Sequence, residues 1–147
     1  MQLYYVIRGA KMNKVELFRL IGAISRTATT EMNQNVSQYG LNNNLFIYLS
    51  RIVENEGITQ TELVELSKVD KTTLSRAISK LEQKGYVVSI INKKRFKELY
   101  PTDKAKKIYN TVFKIEQSYV EKALTNLCPM DLVCLKNLLD KIDSSIS

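Results

Sequence analysis

Apolar residues at Leu17, Ile21, Ile24, Ala28, Met32 and Val36 recur at intervals of four or three. That spacing places them on one face of a long α-helix. Two more such stripes close the chain. The first runs through Ala105, Ile108, Val112, Ile115, Tyr119 and Leu124, the second through Leu132, Leu135, Leu138, Leu139, Ile142 and Ile146. Between the flanks lies a centre of roughly 60 residues, which can bury only part of the flanking stripes. The leftover apolar length packs most simply against the same helices of a second copy. The expected organisation is an N-terminal dimerisation helix in 12–42, a compact lobe in 43–101 and C-terminal dimerisation helices in 102–147. Residues 1–11 read as an extension outside the fold, because Met12 opens a polar, helix-competent segment. The apolar run at residues 3–7 is too short for a signal-peptide core or a membrane span.

Within the lobe, Gly40 stops the first helix, and Asn42, Asn43 and Asn44 form a polar turn. Leu45, Tyr48, Leu49, Ile52 and Val53 mark a second, shorter helix that ends before Gly57. Thr59 and Glu62 form a T-x-x-E capping box that starts a short third helix. Its apolar face is expected at Leu63, Leu66 and Val69. After the turn Ser67-Lys68-Val69, Asp70 is placed to cap a fourth helix, with Leu74, Ala77, Ile78 and Leu81 buried and Gly85 at its end. Residues 86–91 are rich in β-branched side chains and read as a strand. A basic turn at 92–95 leads to a return strand at 96–100, which Pro101 terminates. Pro129 suits the first position of the last helix.

Charge is distributed unevenly over this framework. The chain carries 22 Lys and Arg against 15 Asp and Glu, a formal net charge of +7. Residues 68–97 hold nine of the cations and two of the acids, which alone gives +7; the remaining 13 and 13 cancel. A polyanion-binding surface is the expected consequence.

A capped short helix, a tight turn and a second helix with small and basic exposed residues form a helix-turn-helix. The exposed face of the second helix offers Lys71, Thr72, Thr73, Ser75, Arg76, Ser79 and Lys80, with no Asp or Glu between Lys71 and Leu81. Hydroxyls permit close approach to a duplex. Arginine spans two acceptors of a guanine, and lysines neutralise phosphates. The hairpin tip adds Lys93, Lys94, Arg95 and Lys97, within reach of a neighbouring groove or phosphate. The fold class expected is mainly α with a small β-hairpin wing: a winged helix-turn-helix lobe plus long terminal helices.

Three segments carry a family resemblance: Gly57-Ile58-Thr59-Gln60-Thr61-Glu62-Leu63, Asp70-Lys71-Thr72-Thr73-Leu74-Ser75-Arg76 and Leu81-Glu82-Gln83-Lys84-Gly85-Tyr86-Val87. In these the chain resembles the MarR (multiple antibiotic resistance regulator) family. The resemblance implies a homodimer built by the terminal helices, binding to a palindromic operator in double-stranded DNA, and repression relieved by a small ligand. Ser75 and Arg76 match the family's recognition-helix pair, and Arg95 matches its wing-tip arginine. The family's wing carries D-x-R, in which the acid braces the arginine. Here Lys93 stands at the acid position, and the wing looks a few residues short. Pro101 replaces a leucine, and Cys128 stands where Ser or Thr caps the last helix.

Other chemistries find little support. With no histidine and two cysteines, Cys128 and Cys134, neither a metal site nor a cofactor is expected. No nucleophile–base pair or glycine-rich phosphate loop suggests an enzyme. Two cysteines build no disulfide scaffold, so the cytoplasm is the expected compartment. Phe18, Tyr39, Phe46, Tyr48 and Tyr109 are candidates to line a pocket for a small apolar or aromatic effector. The alternative from another class is a winged-helix adaptor that binds an acidic protein without specific DNA binding.

Overall fold

The computed structural model describes residues 12–147; the expectation for 1–11 lies outside the described residues. The chain is mainly helical. Helix α1 (Lys14–Val36) runs into a 3-10 turn (Ser37–Tyr39). Then follow α2 (Leu45–Glu54), β1 (Ile58–Thr59), α3 (Gln60–Ser67), α4 (Lys71–Gln83), β2 (Val87–Ile91), β3 (Lys97–Pro101), α5 (Asp103–Ala123) and α6 (Pro129–Ile146). The three strands form one antiparallel sheet in the order β1-β3-β2.

Helix α2 sits at the middle of the core. It buries Leu45, Phe46, Tyr48, Leu49 and Ile52, and it packs against α3, α4, α5 and β3. Two reciprocal bonds fix its start to α1: Asn33 Nδ2 donates to Asn44 Oδ1 at 2.8 Å, and Asn44 N–H donates to Asn33 Oδ1 at 2.9 Å. Asn43 and Asn44 both have left-handed backbones, at φ 55° and 65°. Asparagine tolerates that region better than most side chains, which explains the polar turn read from the sequence.

Several details differ from expectation. β1 is only two residues long, too short to show alternation in the sequence, yet it pairs Ile58 with Leu99 and Thr59 with Glu98. Leu66 does not join the apolar face of α3; it is 45% exposed, while Val64 packs against the core beside Leu63 and Val69. Helix α5 ends at Ala123, so Leu124 caps the helix instead of extending its stripe. Pro101 is the last residue of β3, opposite Val87. Because β1 stops short of it, the missing N–H of Pro101 faces no partner strand, which is how a central strand tolerates proline there.

The hydroxyl of Thr102 joins the lobe to α5. It accepts from Ala105 N–H at 3.3 Å, capping α5, and donates to the carbonyl of Gly85 at 2.7 Å. Lys104 adds to this joint, with its ammonium 2.6 Å from the carbonyl of Lys84 and 4.4 Å from the centre of the Tyr86 ring.

The flanking stripes divide as their lengths suggest. Met32 and Val36 of α1 are buried, as are Ala105 and Val112 of α5. The first half of α1 leaves Leu17, Phe18, Leu20 and Ile24 in solvent, and α6 buries no residue at all. Among the described residues no helix is long and apolar enough to cross a membrane.

The five aromatics proposed for an effector pocket do not converge in the single chain. Phe46 and Tyr48 are core residues, 3% exposed each, and leave no surface for a ligand. Tyr39 and Tyr109 are half-buried; the Tyr109 hydroxyl donates to Glu54 Oε1 at 2.9 Å. Phe18 stands exposed on α1, far along the helix from the core.

Candidate nucleic-acid interface

Side chains fix the two helix N-termini of the helix-turn-helix. Glu62 N–H donates to Thr59 Oγ1 at 3.2 Å, and Thr59 N–H donates to Glu62 Oε2 at 2.8 Å, which completes the capping box. Asp70 accepts from Thr73 N–H at 2.8 Å and from the Thr73 hydroxyl at 2.5 Å. The Thr59 backbone holds the Glu62 carboxyl below its ordinary range, and the Thr73 hydroxyl does the same, first among several donors, for Asp70. A carboxyl lowered in the folded state stabilises the fold above its unfolded value, and that gain is lost as pH falls through the folded value. Acid, not base, therefore loosens these caps. Replacing the hydroxyl with Thr59→Ala should lower stability by about 1 kcal/mol. Urea denaturation checks this; an unchanged midpoint would mean the box contributes nothing.

Between the two helices, Lys68 has a left-handed backbone at φ 54°. This lets the chain reverse within Lys68, Val69 and Asp70, so that α4 starts at once. Burial of Leu74, Ala77, Ile78 and Leu81 then determines which side of α4 faces out. Lys71, Thr72, Thr73, Ser75, Arg76, Ser79 and Lys80 are all exposed on that side. The structure refines their roles. Thr73 donates its hydroxyl proton to Asp70, and Ser79 donates its own to the Ser75 carbonyl at 3.1 Å. In this arrangement both hydroxyls can only accept, which suits phosphate oxygens poorly. Lys71, Thr72, Ser75, Arg76 and Lys80 form the stronger set of donors.

The wing tip is a tight hairpin. Arg95 N–H donates to the Asn92 carbonyl at 2.9 Å, closing a turn, and Asn92 N–H donates to the Phe96 carbonyl at 2.9 Å. Arg95 itself is left-handed at φ 62°. A turn followed by a left-handed residue is a common hairpin closure, but that position usually holds glycine. Arginine there costs roughly 1–2 kcal/mol relative to glycine. Lys93, Lys94 and Arg95 are exposed at the tip. Lys97 is different: it lies half-buried, with its ammonium 3.7 Å from Glu82 Oε1. That pair neutralises the one acid of α4.

The wing and α4 meet at a cleft of about 490 Å³. Lys71 from α4 and Arg95 and Lys97 from the wing border it, over a floor that includes Val64 and Phe96, with Thr59, Gln60 and Thr61 at the start of α3. The structure thus brings Lys71 of α4 together with Arg95 and Lys97 of the wing at one cleft. The sequence reading missed Asn92, whose side chain organises the tip, and Glu98 behind it. An asparagine at the first position of a type I turn was the available signal.

Comparison with known proteins agrees with this geometry. The model of the MarR family matches residues 41–94. The chain is 34% identical to the HTH-type transcriptional regulator YybA of Bacillus subtilis over 133 residues, covering 89% of each protein. A MarR protein from Peptoclostridium difficile superposes with a TM-score of 0.85 at 31% identity, over 95% of both chains. A MarR family regulator from Listeria monocytogenes, solved in complex with a 26mer DNA, gives a TM-score of 0.84 at 35% identity, covering 93% of this chain and 90% of that one.

Proposed function

Given that the chain belongs to the MarR family of DNA-binding transcriptional regulators with a winged helix-turn-helix, we propose that it acts as a homodimeric repressor on a palindromic operator. One observation carries the reading: the face of α4 from Lys71 to Lys80 is exposed and free of acids, and its first residue, Lys71, shares a cleft with Arg95 of the wing tip. Lys71, Thr72, Thr73, Ser75, Arg76, Ser79 and Lys80 form the groove-facing set, with Arg76 as the base reader. Lys93, Lys94 and Arg95 grip the backbone or an adjoining minor groove.

The division of labour follows the sequence. The lobe at 43–101 contacts DNA, while 12–42 and 102–147 bring two lobes together. The unburied stripes of α1 and α6 favour this, since runs of exposed large apolar side chains along a helix face mark an interface. Two recognition helices would then enter successive major grooves about 34–36 Å apart. Release by a small apolar or aromatic ligand completes the reading; Phe18, Tyr39 and Tyr109 are the candidates that keep some exposed surface.

Selection of bound sequences from random duplex with the purified protein tests the proposal. A two-fold symmetric consensus supports it. No retention on duplex DNA at low salt would favour the adaptor instead. On the selected operator, Arg95→Ala should reduce the slope of log affinity against log salt by about 1.8, the share of two phosphate contacts, one from each wing of the proposed dimer. An identical slope would remove Arg95 from the phosphate-binding set.

A further inference from the structure

The wing places three consecutive cations, Lys93, Lys94 and Arg95, on a turn whose last residue is left-handed. Mutual repulsion and backbone strain both work against a single conformation there, and Lys93 takes the place of the acid that could brace the arginine. Nevertheless the tip is closely tied. Asn92 Oδ1 accepts from Lys94 N–H at 2.9 Å and from Phe96 N–H at 3.0 Å, spanning Arg95 on both sides. The other end of the same amide, Nδ2, donates to Glu98 Oε1 at 2.8 Å. The second oxygen of Glu98 accepts from the Tyr100 hydroxyl at 2.9 Å.

The chain of contacts ends on rigid backbone. A methyl group at Gly57 would stand 3.2 Å from the Tyr100 hydroxyl, so the ring lies directly over that glycine. Gly57 N–H in turn donates to the Leu99 carbonyl at 2.8 Å. Hydrogen bonds from Asn92, the larger influence, and from Tyr100 hold the Glu98 carboxyl below its ordinary range. It is therefore an ionised acceptor at neutral pH.

We propose that Asn92 and Glu98 are positioning residues that fix the wing-tip Arg95 for DNA, with Glu98 anchored in turn by Tyr100 at the base of the wing. This rests on the reading of Arg95 as a DNA contact. Glu98 is an acid on a basic DNA-facing element, which allows a test by sign. If it acted only through its charge, Glu98→Ala would strengthen DNA binding by removing repulsion. A positioning role requires the opposite.

The test is operator affinity for single and paired variants, with thermal unfolding as a check on the fold. Glu98→Ala should weaken binding by about three- to tenfold, the factor carried by one lost hydrogen-bonded anchor. Glu98→Gln, which keeps an acceptor for Asn92 and loses the charge, should bind at least as well as the wild type. In an Arg95→Ala background, Glu98→Ala should have a clearly smaller effect, because the main side chain it positions is gone and only the tip lysines remain. Amide exchange at Lys94 and Phe96 should speed up in Glu98→Ala. Tighter binding by Glu98→Ala, or an equal loss with and without Arg95, would overturn the proposal. An Arg95→Ala variant that binds like the wild type would overturn the reading of Arg95 itself, and the brace with it.

Discussion

Replacing Leu135 and Leu139 of α6 together with aspartate is expected to convert the protein to a monomer and to lower operator affinity by roughly 10²–10⁴-fold, the advantage conferred by joining two binding modules. Both side chains lie in the exposed stripe of α6, at 39% and 40% exposure in the single chain. The variant therefore removes nothing from the core, and the lobe should keep its helical signal. Four buried carboxylates at a symmetric interface, two from each copy, would be repelled and desolvated at once. Sedimentation velocity reads the assembly and a mobility shift reads the affinity. A variant that remains dimeric and binds as before would place the interface elsewhere.

A second large effect is expected at Arg76. Arg76→Ala should cost about 1–3 kcal/mol for each half-site of the selected operator, or about 5- to 150-fold per contact, and far less on random duplex. Arg76→Lys should restore the difference only in part, because an ammonium can reach both acceptors of a guanine but lacks the rigid planar fork that fixes an arginine on them. Equal losses on specific and random DNA would make Arg76 a phosphate contact and shift base reading to Ser75 or Thr72. The backbone around it argues for a fixed presentation: Leu74, Ala77 and Ile78 are buried on either side, so the helix cannot rotate to offer another residue.

Much of this was legible in the sequence because local chemistry and long-range packing agree. The T-x-x-E pair, the Asp70 cap and the Leu74–Leu81 stripe each specify a helix start or a buried face from a few adjacent residues, and all appear as read. What escaped depends on partners distant in sequence. β1 exists only because β3 lies beside it, and two residues carry no periodicity. Leu66 follows helical spacing from Leu63, but the core approaches α3 from the side of Val64. Tyr48 and Phe46 look like pocket aromatics until α2 is seen at the middle of the core. The wing brace joins Asn92 to Glu98, six positions apart across a hairpin. A search for the family's D-x-R looks at Lys93 and passes it by.

Helix α5 gives the molecule a mechanical property. Its 21 residues form a rod roughly 31 Å long. At one end Thr102 and Lys104 secure it to the close of the recognition helix, through Gly85 and Lys84. At the other it leads directly into α6. A rod held this way works as a lever, and a tilt of about 6° over that length shifts the far end by about 3 Å. That distance is comparable to one hydrogen bond, and on the two arms of the proposed dimer it would change the separation of the reading heads twice over. Loss of fit to an operator would then need no unfolding and no loop rearrangement, only a few degrees of tilt at the far end of the rod.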